Sequence, residues 1–135
     1  MSGLPDQAIL IGKENGPHAS IRIMERLSDH RLRAEVSVPL AFGQGTCQAE
    51  FGNGALHRLA MDIEKMRLTQ SGLAQLGVLP GLMLNFLLDE KRQFIFAVRY
   101  RRNPALAIDS IITFPLDPAE LPAIIDALRA ADAGQ

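Results

Sequence analysis

The chain has 135 residues, of which 47% are hydrophobic and 21% charged, and its formal net charge is −1. A chain of this size buries roughly two-thirds of its unfolded surface, which predicts one folded domain over residues 1–135 and excludes disorder. No apolar run reaches the ~18 residues of a membrane helix. The N-terminus has no secretion signal and Cys47 has no disulfide partner, so we expect a cytoplasmic protein.

The first third of the chain alternates apolar and polar residues, which is the period of a half-buried strand. Strands are predicted over Ala8–Gly12, His18–Arg26, 32–38 and 46–51. Gly43 and Gly45, which precede the fourth strand, are predicted to make turns. The short connections between these strands favour antiparallel pairing, because a parallel crossover needs a dozen or more residues.

The period then changes to about 3.6, which predicts a helix. Its apolar positions are Leu56, Leu59, Ala60, Ile63 and Met66. Asn53 is its predicted N-cap, and Ser71 with Gly72 is predicted to end it. Strand patterns resume over 73–78, 82–88, 94–100 and 106–114.

The final segment carries the signals of a helix start. Asp117 is a predicted N-cap, Pro118 suits the first helical position, and Glu120 follows three residues after the cap. The apolar stripe of this helix consists of Leu121, Ile124, Ile125 and Leu128. The whole pattern predicts an α+β fold with about eight strands in the order ββββ-α-ββββ-α, a largely antiparallel sheet and two helices packed on it.

Catalytic motifs are not evident in the sequence. Cys47 alternates with apolar residues, as a buried free cysteine does. His18, His30 and His57 lack metal-ligand spacing, and the glycine pairs at 43–45 and 52–54 lack the spacing of phosphate-binding loops. We therefore predict no catalytic residue, cofactor or metal, although a pocket near Cys47, His57 or Asn85 would revive an enzyme or a small-ligand binder.

The charges are unevenly distributed along the chain. Residues 54–104 carry 8 basic and 4 acidic side chains, whereas residues 105–135 carry 1 and 5. A basic surface is predicted around Arg92, Arg99, Arg101 and Arg102. This surface is either a solvated face or a docking site for an acidic partner. The apolar stretch from 79 to 88 is interpreted as a core strand, with dimerisation as the alternative.

The order of elements from about residue 32 to residue 128 resembles the WapI-type immunity proteins of bacterial polymorphic-toxin systems. The matching parts are the strand ending at Phe51, the first helix, the return over 71–76, and the strands over 82–88 and 94–98. The segment from 112 to 122, with its strand, aspartate cap and final helix, resembles the family most closely. The chain departs from the family at 91–93, where relatives commonly place a glycine and this chain has Lys-Arg-Gln.

The resemblance implies a non-enzymatic protector that binds a toxin domain, often a nuclease, and blocks its action. An inhibitor that occupies a basic nuclease cleft presents acidic side chains to it. Here those are Asp89 and Glu90, or Asp117, Glu120, Asp126 and Asp132. The alternatives left open are an enzyme or small-ligand-binding domain, a homodimer formed through an exposed edge strand, and a nucleic-acid-binding module that uses the four arginines with Tyr100 or Phe94 for stacking.

Overall fold

The computed structural model describes residues 8–13, 15–40, 43–100 and 110–133. Their elements follow the order ββββ-α-ββββ-α and confirm the predicted α+β class. The strands are β1 (Ala8–Gly12), β2 (His18–Arg26), β3 (Leu32–Leu40), β4 (Gly43–Phe51), β5 (Leu73–Leu79), β6 (Leu82–Leu88), β7 (Phe94–Tyr100) and β8 (Ser110–Pro115). The helices are α1 (Ala55–Thr69) and α2 (Leu121–Ala133), the latter preceded by a 3-10 turn over Pro118–Glu120.

The strands form two four-stranded antiparallel sheets, where the sequence predicted one largely antiparallel sheet. The first sheet has the order β1-β2-β3-β4 and the second the order β5-β6-β7-β8. Helix α1 connects the last strand of the first sheet to the first strand of the second. Alternation along a strand reveals which face is buried, but it does not reveal which strand edges pair, so the division lay outside the sequence pattern.

The inner faces of both sheets follow the predicted alternation. On β2, Ile21 and Ile23 are buried while Arg22 and Met24 point outward, as predicted. In the second sheet, the rings of Phe86 and Phe96 lie 5.1 Å apart between centroids, and Phe114 lies 5.2 Å from Phe96. These side chains and the predicted apolar stripes of both helices belong to one contiguous core.

The start of α1 is capped from a distance rather than locally. The predicted N-cap, Asn53, is wrong: Gly54 occupies the cap position with φ 82° and supplies no side chain. Instead, the Asp132 carboxylate of α2 accepts hydrogen bonds from the backbone amides of Gly54 at 3.3 Å and His57 at 2.6 Å. Local sequence could not indicate this cap, because its carboxylate comes from the other helix.

The end of α2 is held against the first sheet by an arginine of β2. The Arg26 guanidinium donates to the backbone carbonyls of Ala131 at 3.1 Å and Asp132 at 2.7 Å. A cation at a helix C-terminus satisfies carbonyls that have no partner within the helix. Arg26 and the Asp132 cap therefore join the first sheet, α2 and α1.

Two further sequence predictions have different outcomes. Asp117 caps as predicted, because its Oδ1 accepts from the Ala119 amide at 3.0 Å, although the turn that follows is 3-10 before α2 begins. The predicted turn glycines Gly43 and Gly45 instead lie within β4, paired with Leu40 and Val38.

The last predicted strand is described from residue 110 onward, so its positions 106 to 109 lie outside the described residues.

Candidate binding cleft and exposed sheet face

A cleft of about 620 Å³ lies where one end of the first sheet meets the second sheet. Its walls come from the β1–β2 connection, the start of β7 and the connection from β8 to α2. The lining residues are Gly12, Lys13, Pro17, Arg92, Gln93, Phe94, Phe114, Pro115, Leu116, Asp117, Pro118 and Glu120. Segments that are far apart in the sequence thus build one concave surface.

The close approach of β1 to β8 depends on a glycine. Gly12 has φ 105°, and a Cβ atom at this position would lie 2.4 Å from the Pro17 carbonyl oxygen and 2.9 Å from the Phe114 ring. Only glycine adopts this conformation without strain and leaves that space. Phe94 and Phe114 are 2% and 5% exposed, and both belong to the core cluster, so the base of the cleft is rigid and apolar.

The rim of the cleft carries both signs of charge. Lys13 and Arg92 are its cations, and Asp117 and Glu120 are its acids. The Arg92 guanidinium also donates to the carbonyl of Gln70 at the end of α1, which fixes the side chain against the helix terminus. The cleft therefore brings together three of the predicted partner-binding residues, which the sequence had placed in a turn and in the final segment.

Asp89 supports this arrangement from within the β6–β7 turn. Its Oδ1 accepts from the backbone amides of Lys91 and Gln93, each at 2.8 Å, and its carbonyl accepts from the Arg92 amide at 3.0 Å. Arg92 has φ 63°, a left-handed conformation that this turn requires. Asp89 thus shapes the turn that presents Arg92, while Glu90 is exposed at the tip of the same turn.

The predicted basic surface is divided among different parts of the fold. Arg92 lies in the turn before β7 and Arg99 lies near the far end of that strand, roughly 20 Å away at ~3.3 Å per residue. Arg101 and Arg102 lie outside the described residues. The aromatic residues proposed for base stacking face the interior, because Phe94 is buried and Tyr100 is half-buried against the core. The described residues therefore do not form a continuous nucleic-acid-binding surface.

The outer face of the second sheet, which points away from the core, is largely apolar. Its register rows across the four strands are Leu73, Leu87, Ile95 and Pro115; then Gln75, Asn85, Ala97 and Thr113; then Gly77, Met83, Arg99 and Ile111. Leu73 is 50% exposed and Ile111 is 58% exposed. In the middle row, Gln75 Nε2 donates to Oδ1 of the buried Asn85 at 2.8 Å.

The sequence indicated part of this face, because the stretch over 79–88 had dimerisation or contact with a partner as its alternative interpretation. The stretch over 79–88 was interpreted as a core strand, and β6 does lie between β5 and β7 within the sheet. Its inner positions, such as Leu84 and Phe86, are fully buried, whereas Met83 and Leu87 occupy the phase of the alternation that is usually polar. Apolar residues in both phases of a strand indicate either burial on two sides or an exposed apolar face.

The side chains singled out for chemistry are scattered. Cys47 is half-buried on β4, and burial raises the pKa of its thiol, which keeps it in the poorly nucleophilic protonated form. His18 Nδ1 donates to the carbonyl of Gly16 at 2.9 Å, while His30 and His57 are exposed on other elements. Within residues 8–13, 15–40, 43–100 and 110–133, no three His, Cys, Asp or Glu side chains are grouped as metal ligands.

No protein-family model and no curated protein matches the sequence. Neither of the two described helices is long and apolar enough to cross a membrane. The resemblance to WapI-type immunity proteins thus stays a prediction.

Proposed function

We propose that this chain is a non-enzymatic protein-binding domain whose recognition site is the cleft between the two sheets. The observation that carries the proposal is the convergence of Arg92, Asp117 and Glu120 around one concave surface with an apolar base. Protein interfaces have this composition, with a hydrophobic centre and a polar rim. Charges of both signs on the rim orient a partner and exclude others, which gives specificity more than affinity.

The rigidity of the cleft supports binding rather than chemistry. Its base belongs to the core, its basic wall is held by the Asp89 turn, and Asp117 is engaged in capping. A preorganised surface of this kind loses little conformational entropy when a partner binds. Cys47, whose burial raises its thiol pKa, is absent from the lining of the cleft.

We assign the partner class from the resemblance stated for residues 32–128: the chain acts as an immunity protein that binds a toxin domain in the cytoplasm and blocks its action. In this proposal, Asp117 and Glu120 face basic groups of the toxin, as expected where the toxin is a nuclease. Lys13 and Arg92 bind acidic groups on the same partner. The cleft therefore recognises a surface that carries both charge signs close together.

Co-expression with the product of the adjacent upstream gene tests this function. We expect the wild-type chain to restore growth and to form a stoichiometric complex with that product. Lys13→Glu and Glu120→Lys should each weaken the complex at least tenfold by titration calorimetry, because each reverses a charge on the rim. Lys65→Glu is the matched control, since Lys65 is exposed on α1, outside the cleft lining. Failure of the wild-type chain both to rescue cells and to bind would exclude the immunity role.

The size of the cleft favours a second candidate function. A volume of about 620 Å³ lies within the roughly 300–1,000 Å³ typical of small-ligand sites. In that case a small molecule with an apolar body and a charged group would raise the Tm of the wild-type chain. If the ligand is an anion, Lys13→Glu would abolish this increase in Tm. If the ligand is a cation, Glu120→Lys would abolish it. Binding of the gene-neighbour product with unchanged affinity in both variants would separate the two functions.

A further inference from the structure

The outer face of the second sheet is a second surface, distinct from the cleft. Two of its three rows are dominated by large apolar side chains, represented by Leu87 and Ile95 in one and by Met83 and Ile111 in the other. Arg99 carries the only formal charge on this face among the described residues. Leu73 and Ile111 on the two edge strands are exposed, whereas Met83, Leu87 and Ile95 on the inner strands are half-buried. Exposed apolar patches are typical of interaction sites.

We propose that this face binds a second copy of the same chain, sheet against sheet, around a two-fold axis. The proposal does not depend on the proposed function, because the cleft is a separate surface. The formal net charge of −1 makes the electrostatic repulsion between two copies small. Closed two-fold dimers are the commonest oligomers, and they use the same patch on both subunits.

The composition of the face is compatible with packing against itself. The middle row places the small Ala97 beside Asn85, which is 6% exposed and engaged by Gln75. A two-fold axis along this row would set the Leu87 row of one copy over the Met83 row of the other. It would also keep the two Arg99 side chains apart, at opposite edges of the contact, where each exposed guanidinium stays in water. Two packed sheets lie about 10 Å apart, a distance that apolar side chains of this size fill.

The area of the face fits a reversible dimer. Strands β5, β6 and β7 have seven residues each, so four strands spaced ~4.8 Å apart at ~3.4 Å per residue cover roughly 450 Å². Two copies would hide roughly 900 Å², which is below the ~1,000 Å² of a stable specific interface and in the range of weak, transient ones. A dimer of this size should dissociate on dilution through the micromolar range.

Sedimentation velocity over a concentration series tests the proposal. We expect the 135-residue wild-type chain to shift from monomer to dimer as its concentration rises. Leu87→Lys and Ile111→Lys should each weaken self-association at least tenfold, because each would bury a charge in the apolar contact. Leu87 lies on an inner strand, so its replacement leaves the edge strands free to pair. Dimerisation that is unchanged in Leu87→Lys would therefore indicate edge pairing and overturn the proposal.

Leu10→Lys is the matched control, because Leu10 is 41% exposed on the outer face of the first sheet. This variant should dimerise like the wild type, and circular dichroism should show all three variants folded. If Leu87→Lys does not fold, Met83→Lys replaces it, because Met83 is half-buried on the same outer face and also lies on an inner strand. A wild-type chain that stays monomeric at all concentrations would overturn the proposal, even if the face binds a different protein.

Discussion

The outer faces of the two sheets differ, although their inner faces follow the same alternation. On the first sheet, the Arg31 guanidinium bonds to Asp29 and Glu50, each at 2.6 Å, and Arg33 pairs with Glu25. The outer face of the second sheet instead carries apolar side chains such as Met83, Leu87 and Ile95. Among the described residues, Arg99 carries the formal charge on this face. Packing of the core requires apolar residues only on the inner faces. The apolar residues on the outer face of the second sheet therefore indicate where contact with another molecule is expected.

Stability does not explain the difference. Exposed ion pairs contribute little free energy, so the pairs on the first sheet mainly keep that face hydrated and separate from other chains. An apolar outer face gains nothing while it stays in water, and it raises the risk of aggregation. We infer that the first sheet presents a solvated face and the second an interaction face.

The largest expected effect tests whether the inner faces are equivalent. Ile21→Ala in the first sheet and Phe96→Ala in the second each remove a side chain that is 0% exposed. Each should lower the free energy of unfolding by roughly 2–5 kcal/mol, because the lost burial leaves a cavity. Urea denaturation followed by circular dichroism should show one cooperative transition in both variants. Two separate transitions would contradict a core shared by the two sheets.

The next effect compares the hydrogen bonds of one glutamine side chain on each outer face. Gln75→Ala removes the donor to the side-chain oxygen of the buried Asn85, and it should cost roughly 1–3 kcal/mol of unfolding free energy. Gln44→Ala removes exposed bonds to the Ser37 hydroxyl and the His18 carbonyl on the first sheet, and it should change stability by less than about 0.5 kcal/mol. Thermal and urea denaturation measure both. Equal costs would mean that the second outer face is as hydrated as the first.

The smallest expected effect concerns the ion pairs of the first sheet. A hydrogen bond from Arg31 lowers the pKa of the Asp29 carboxyl below its ordinary value of 3.8. Since the folded state lowers this pKa, the stabilisation exists above the unfolded value and is lost as the pH falls through the folded value. Asp29→Asn should therefore slightly lower the Tm at pH 7 and leave it unchanged in strong acid. A difference that persists in acid would show that the pair is not the cause.

Patterns of short period predicted much of the fold. The alternation of Ile21 and Ile23, the helical stripe from Leu56 to Met66, and the Asp117 cap all depend on neighbouring residues, and all three predictions are confirmed. The division into two sheets and the Asp132 cap depend on contacts between distant segments, which local periodicity does not encode. The sequence shows that Met83 and Leu87 are apolar where an alternating strand usually has polar residues. Without the pairing register of β5 to β8, these positions could not be assigned to an exposed face.

The cleft shows the same limit. Arg92, Asp117 and Glu120 were chosen from charge and from the resemblance, but their proximity follows from the pairing of β7 with β8, where the Leu116 amide donates to the Phe94 carbonyl at 2.9 Å. The wall that carries Lys13 is added by the contact of Gly12 with Phe114. That contact joins the first sheet to the last strand, and no motif marks it. Glu90 and Arg99 were chosen on the same grounds, and they lie outside the cleft lining.

A dilution series followed by amide NMR of the isotope-labelled wild-type chain tests the contrast between the two faces most directly. We predict that the concentration-dependent shifts cluster on the second sheet, at Leu87, Ile95 and Ala97, and that Ser37 and Thr46 on the first sheet stay constant. Shifts that cluster on the first sheet, or the absence of any concentration dependence, would contradict the account.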